Sequence, residues 1–366
     1  MIKQDDKITV FQMMMFIMMV TGLQNHVIAI DPLISTAGRD GWLSILFTTI
    51  LTVIWSILIL YIQKGMNQEH IYTWLKQQIG KPIAVLICTV IYIYCFLLAT
   101  ITVRETVAWT KITYLQETPI LFLVLTLLFL CILAVFTTIR TLAIATVFLL
   151  FFVVILGFFV AIANLQVKDY ALLFPILEHG YDPVIKGMIY PGAGMGEIIL
   201  FIFLQHKYKN KVRYRNIFWI VIILALLTAG PYIGGITEFG PTEAANQRFT
   251  PFEEWGLVTV SRYIEHVDFL SIYQWLSGAF IRISFLIFIA LEVFKIKKRK
   301  VRISLLLLMG FIMLIASIYP ISYIVYFDIM KMYLLPTLLI MSLSLSLILA
   351  GIVLIANIRK KRGQAR

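Results

Sequence analysis

About ten stretches of roughly 20 mostly apolar residues recur along this chain, and that repetition constrains the fold more than any single motif does. Each is long enough, as a helix, to cross the hydrocarbon core of a bilayer. Of 366 residues, 61% are hydrophobic and only 14% charged, so a soluble domain of this composition would expose large apolar patches. Lipid removes that difficulty. The chain therefore reads as an all-α integral membrane protein.

Hydropathy places helices one to five at 8–35, 41–63, 82–103, 119–137 and 142–164. Helices six to ten follow at 183–206, 216–237, 267–293, 303–326 and 333–357. Together they make one transmembrane domain over 1–366, with halves at about 8–164 and 183–357. Met1 to Lys7 is polar and the first apolar run lacks a small-residue cleavage site, so no cleavable signal peptide is expected.

The net charge of +12 is concentrated in three runs, Lys207 to Arg215, Lys295 to Arg302 and Arg359 to Arg366. Each directly follows an apolar segment and lies in an alternate connection. That is the pattern of positive loops on the inner side of a membrane rather than a nucleic-acid face. Lys3, Lys7, Lys64, Lys76, Lys81 and Arg140 fall on the same side, while Arg39, Arg104, Lys111, Lys168, Arg248, Arg262 and Lys331 are scattered singly on the other. Both termini are expected in the cytoplasm.

Two connections carry features of their own. Ile71 to Leu75, within 62–81, reads as a short amphipathic helix on the inner membrane surface. The outer connection 236–266, with Gly240–Pro241, Glu253–Glu254 and Trp255, is a lid, a partner surface or a mobile link.

Two helices are interrupted. Helix six opens at Asp182–Pro183 and then meets Pro191-Gly192-Ala193-Gly194-Met195-Gly196-Glu197. Pro191 lacks an N–H and the alternating glycines remove the steric preference for helix, so an unwound stretch at membrane depth is expected. Such a stretch persists only where protein, water or ligand satisfies its backbone. A kinked helix with close glycine packing is the competing reading. Helix one holds a weaker counterpart, Thr21-Gly22-Leu23-Gln24-Asn25-His26, before Asp31–Pro32. Interruptions in the first and sixth helices match an inverted five-plus-five repeat with the substrate site between them.

Ionisable groups within spans mark functional sites. Glu197 either caps the second half of helix six or meets ligand, and Arg282 in helix eight needs a partner; spacing alone does not pair them. Tyr94, Leu98 and Thr102 share one face of helix three, and Ser277 and Ser284 lie on helix eight. Cys88, Cys95 and Cys131 sit inside apolar segments without disulfide or metal-ligand spacing. No nucleophile–base set, phosphate loop or His/Cys cluster is visible, so neither an enzyme nor a resident cofactor or metal is expected.

On the helix-six run Pro191 to Glu197 and the opening Lys7-Ile8-Thr9-Val10-Phe11-Gln12, the chain resembles the B subunit of GerA-type spore germinant receptors. These form the spore permease branch of the amino acid–polyamine–organocation superfamily. The resemblance implies a germinant sensor of the spore inner membrane that binds an L-amino acid. It also implies an A-type membrane subunit and a C-type lipoprotein subunit as partners. By position it points to Thr21, Gly22, Leu23 and Gln24 on helix one and to Tyr94 and Leu98 on helix three. On helix six it points to Gly192, Gly194, Met195, Gly196 and Glu197, and on helix eight to Ser284. Some transporters of the superfamily carry a lysine in helix five, whereas residues 142–164 here are uncharged. That disfavours proton-coupled uptake, and so favours a receptor over an amino-acid permease of the same fold; a scaffold that only holds its partners is the third reading.

Overall fold

The computed structural model describes residues 7–259, 267–296 and 298–364. Lys3 and Arg262, two of the orienting charges above, lie outside them.

The chain is almost entirely helical. It begins with α1 (Val10–Leu23), a π-helical segment at Gln24–Ile28, α2 (Ile30–Ala37), α3 (Gly41–Met66), α4 (Ile71–Ile79) and α5 (Lys81–Thr113). Next come α6 (Ile120–Val135) and α7 (Ile139–Ala163), then the short helices α8 (Tyr181–Gly187), α9 (Ile189–Met195) and α10 (Leu200–Phe203). The remainder is α11 (Tyr214–Phe239), α12 (Pro241–Asn246), α13 (Thr250–Gly256), α14 (Leu270–Glu292), α15 (Arg299–Ile318), α16 (Tyr323–Ile329) and α17 (Leu335–Gln364). Among the described residues eight helical stretches are long and apolar enough to cross a membrane, fewer than the ten expected. The difference lies in α6, which is only 16 residues long, and in α1, whose 14 residues end at the π segment.

The opening motif has a local structural job. Thr9 and Gln12 form a reciprocal capping box at the start of α1, with Gln12 N–H donating to Thr9 Oγ1 at 3.1 Å and Thr9 N–H to Gln12 Oε1 at 2.9 Å. Ile8 then pairs with the connection after α10, its N–H donating to the Lys207 carbonyl at 2.9 Å and its carbonyl accepting from Lys209 N–H at 2.9 Å. The start of helix one is thus tied to the end of helix six.

Three helix boundaries differ from expectation, each for a tertiary reason. Helix three was expected to stop at 103 but runs to Thr113, because its charges find partners: Arg104 Nη1 donates to the Ala316 carbonyl at 2.7 Å, and Glu105 pairs with Arg248. Helix nine, expected to 326, stops at Ile318 just before Pro320, and Ser322 caps α16 by accepting from Val325 N–H at 3.3 Å. Helix ten therefore starts early, at Tyr323, and reaches α17 through a second π segment, Met330–Leu334.

The α14 helix forms the axis of the bundle. Its most apolar window is 83% buried and that of Tyr181–Phe203 is 78%, against 22% for Ile139–Gln166, which faces outward. Helices α1, α5, α6 and α7 pack around α14, while α3 and α17 flank α9. Pro231 interrupts α11 without leaving a gap in the hydrogen bonding. The carbonyl four residues before it, Leu227, has no helical N–H to accept from, and His26 Nδ1 of the π segment lies 2.9 Å away.

Candidate functional site

Helices one and six are both interrupted where the sequence marks them, in a milder form than unwinding. Helix one widens to π geometry over Gln24–Ile28, with Ala29 N–H reaching back to the Gln24 carbonyl at 2.9 Å. Helix six tightens to 3-10 geometry over Gly196–Ile199. The expected unwound stretch is thus replaced by continuous helical backbone of altered pitch. Neighbouring side chains, rather than free backbone groups, supply the polar surface at the crossing.

That surface centres on Glu197 and Arg282, both fully buried. The guanidinium meets the carboxylate end-on through its two terminal nitrogens, Nη1 to Oε2 at 2.6 Å and Nη2 to Oε1 at 2.7 Å. Its other donors reach Thr102 Oγ1 at 2.8 Å, the Val20 carbonyl at 2.5 Å and Gln24 Oε1 at 3.0 Å, so all five N–H groups of Arg282 are used. Pitch explains the carbonyl. Gln24 N–H bonds to Thr21 O rather than to Val20 O, which releases Val20 O for the arginine. Thr21 Oγ1 completes the shell, 3.5 Å from Glu197 Oε2.

Several buried polar atoms close by have no protein partner. They include both side-chain polar atoms of Asn25, Gln24 Nε2 and Tyr94 Oη. Tyr94 is near enough to interact electrostatically with both Glu197 and Arg282. In a buried, low-dielectric setting an unpaired polar group costs folding free energy of about 1–3 kcal/mol. A cluster of them beside a saturated ion pair sets this crossing apart from the apolar packing around it.

The candidate residues named from the sequence divide by position. Thr21, Gln24, Tyr94 and Glu197 converge on Arg282. Leu98, also buried, supports it through its carbonyl, which accepts from Thr102 Oγ1 at 2.8 Å. Gly194 lies beneath Gln24 and Asn25. Gly192 and Gly196 face Leu339 and Ser342 of α17, and Met195 Sδ accepts from Thr52 Oγ1 at 3.6 Å. Gly22 faces Leu227 of α11, and Leu23 packs on Gly278 of α14. Ser284, two residues beyond Arg282, lies against Cys131 of α6. Asn25 and Thr102 belong to the centre and were not among the site residues, although Asn25 stands in the polar run that marks helix one.

A second charged group closes the end of the bundle opposite the termini. Asp31 accepts from Arg248 Nη1 at 2.7 Å and from the backbone N–H groups of Phe249 and Thr250 at 2.9 and 3.0 Å. Arg248 Nη2 also reaches Glu105 at 2.5 Å. Beneath this clasp Trp109 and Trp275 stack with ring centroids 4.4 Å apart, and Phe249 meets Trp275 edge-on. The described part of the connection after α11, α12 and α13, is therefore anchored over this end of the bundle as a lid.

At the end that carries the termini, His70, His206 and Glu292 place potential metal-ligating atoms within 4.8 Å of one another. Both His70 nitrogens are engaged, Nε2 with the Glu292 carbonyl at 3.0 Å and Nδ1 accepting from Tyr72 N–H at 3.2 Å. Lys207 at 3.4 Å and Arg302 at 3.8 Å already bring positive charge to the Glu292 carboxylate. The group is an electrostatic junction between α4, the end of helix six and α14, and a divalent cation there would meet those two cations.

Comparison with known proteins fits this architecture. In fold the chain resembles a manganese transporter of Eremococcus coleocola, with a TM-score of 0.59 at 12% identity over 92% of this chain and 77% of that one. It is 40% identical over 312 residues to spore germination protein XB of Bacillus anthracis, spanning 85% of this chain and 88% of that protein. Residues 7–324 match the family described as spore germination protein. On that match and that relative, this multi-pass membrane chain belongs to the spore germination protein family.

Proposed function

We propose that this chain is the germinant-sensing subunit of a spore germination receptor, and that it binds an L-amino acid at the Glu197–Arg282 centre. The observation that carries the reading is a bidentate ion pair, fully buried where helices one and six cross, beside unpartnered polar atoms of Gln24, Asn25 and Tyr94. A zwitterion carries the same two charges as the pair. Its carboxylate fits the planar fork of Arg282 and its ammonium fits Glu197. Exchanging one internal pair for two pairs with ligand leaves no net charge buried, which limits the desolvation cost. Thr21, Gln24 and Tyr94 contact ligand in this reading. Gly22, Leu23, Leu98, Gly192, Gly194, Met195, Gly196 and Ser284 shape the surrounding packing.

Opening the pair alters the fit between helices one and six, and the ligand's differential affinity for the two arrangements is the coupling energy available to partners. Those partners are an A-type membrane subunit and a C-type lipoprotein subunit in the spore inner membrane. The charge asymmetry supports cytoplasmic termini, and helices one to five and six to ten form the two halves of an inverted repeat. The function is recognition rather than catalysis.

The test is thermal melting of the receptor, purified in detergent, against each of the twenty L-amino acids. One or a few should raise the melting temperature saturably. In Tyr94→Phe that rise should shrink while the ligand-free protein melts at the same or a higher temperature, because the lost hydroxyl has no protein partner. No rise with any amino acid in the complete receptor would overturn the assignment. Net accumulation of the amino acid in liposomes would instead make the chain a permease.

A further inference from the structure

We propose that a cleft at the termini-bearing end of the bundle holds the phosphate of one anionic phospholipid headgroup. The cleft has a volume of about 510 Å³ and is formed where the ends of α3 and α17 meet α4. Its lining includes Lys64, Asn67, Trp74, Gln78, Arg359 and Lys360. Three of these six are cations, and the lining contains no acidic side chain. Among the described residues no carboxylate pairs with Lys64, Arg359 or Lys360, although seven other lysines and arginines, elsewhere in the molecule, do find acidic partners.

The cleft is also held in shape. Arg359 Nη1 donates to the Gln78 carbonyl of α4 at 3.1 Å, and Asn67 Oδ1 accepts from Lys211 Nζ at 2.9 Å, which brings a fourth cation to the rim. Its floor depends on close approach of two long helices: a Cβ on Gly65 would fall 2.2 Å from Val353 Cγ1, so α3 and α17 touch there. Lys64 and Lys360 are exposed, while Trp74 in the same lining is buried.

Position identifies the source of the phosphate. The cleft lies where two apolar membrane-crossing helices end and an amphipathic helix, α4, lies beside them with Ile71, Trp74 and Leu75 buried and Lys76 exposed. That is the depth of lipid headgroups, and interfacial basic pockets between helices select anionic ones. Lysine and arginine at the last turn of a helix also complement its dipole, but that role needs no cleft and no unpaired clustering.

Native mass spectrometry of the full chain, stripped of lipid in detergent and then titrated, tests the proposal. The probes are phosphatidylglycerol, phosphatidylcholine and soluble glycerol phosphate. Wild type should retain one phosphatidylglycerol in preference to phosphatidylcholine. Lys64→Gln with Lys360→Gln should weaken that retention about 20-fold, and Lys360→Gln alone about five-fold. Lys209→Gln with Arg215→Gln removes the same charge from another basic run and should retain the lipid. Equal loss in that control, equal binding of phosphatidylcholine, or retention in the double variant would overturn the site. Glycerol phosphate binding as tightly as the lipid would overturn the lipid source.

Discussion

Gly194 lies so close beneath Asn25 that a Cβ built on it would fall 1.6 Å from Asn25 Oδ1 and 2.7 Å from Cγ. The crossing of helices one and six is set by that missing side chain. Gly194→Ala is expected to displace Asn25 and lower stability by about 1–3 kcal/mol. Gly192→Ala, whose Cβ would meet Leu339 at 3.4 Å, should cost less than about 1 kcal/mol. Thermal melting of the two variants in one detergent compares them directly; equal effects would mean that Asn25 does not fix the crossing.

The central ion pair predicts a strongly non-additive pair of substitutions. Glu197→Met leaves Arg282 charged and buried, and Arg282→Met does the same to Glu197, so each single change should destabilise by about 3–5 kcal/mol. Glu197→Met combined with Arg282→Met removes both charges and should cost less than either alone. A double variant at least as unstable as the sum of the singles would show that the hydrogen bonds to Thr102, Gln24 and Val20 dominate instead.

The Asp31 clasp predicts local rather than global loosening. Arg248→Met leaves Asp31 and Glu105 without their shared cation and removes two of the four bonds of the clasp, leaving those from Phe249 and Thr250 N–H to Asp31. Amide exchange at Phe249 and Thr250 should accelerate about ten-fold or more, because these amides exchange through opening of the lid alone. Exchange in α14 should change little. Unaltered exchange at both amides would show that aromatic packing on Trp275 holds the lid without the arginine.

His70 predicts a pH dependence outside the membrane. Burial, with the neighbouring His206 next in effect, holds its imidazole down at about 4, below the ordinary 6.5. The unfolded chain therefore binds more protons between those values, and stability falls as pH drops from 6.5 toward 4. The full effect is about 1–3 kcal/mol. His70→Gln should flatten the melting-temperature profile across that window and leave the profile above pH 7 unchanged in shape. An identical profile in wild type and variant would assign the effect elsewhere.

How much was legible in the sequence follows from which forces act locally. Apolar run length is fixed by bilayer thickness, so most spans were readable from hydropathy. The C-terminal end of helix three was not, because Arg104 looks like a terminus until Ala316 is known to satisfy it, and Glu105 pairs with the distant Arg248. Pro and Gly located the interruption in helix six, but whether backbone unwinds or changes pitch depends on what packs against it. Here Asn25, Leu339 and Ser342 fill the space around the glycines. Glu197 and Arg282 were each identifiable as intramembrane charges, and only the fold brings them together. Asp31, Arg248 and Glu105 read as three unrelated charges for the same reason.

The π segment of helix one carries a consequence for evolution of the chain by insertion and deletion. A π turn accommodates about one residue more than an α turn, and one residue corresponds to about 100° of rotation about the helix axis. Gln24–Ile28 separates Thr21, which touches Glu197, from Asp31, which holds the lid. Deleting a single residue there would close the turn to ordinary α pitch and leave the two halves in phase, because the turn already absorbs the extra residue. An insertion with no further π turn to absorb it would instead swing the halves apart by about 100°. Either Asp31 would then lose Arg248 or Val20 and Thr21 would turn from the ion pair. The widened turn thus lets this helix carry one more residue without losing the alignment of the buried centre with its cover.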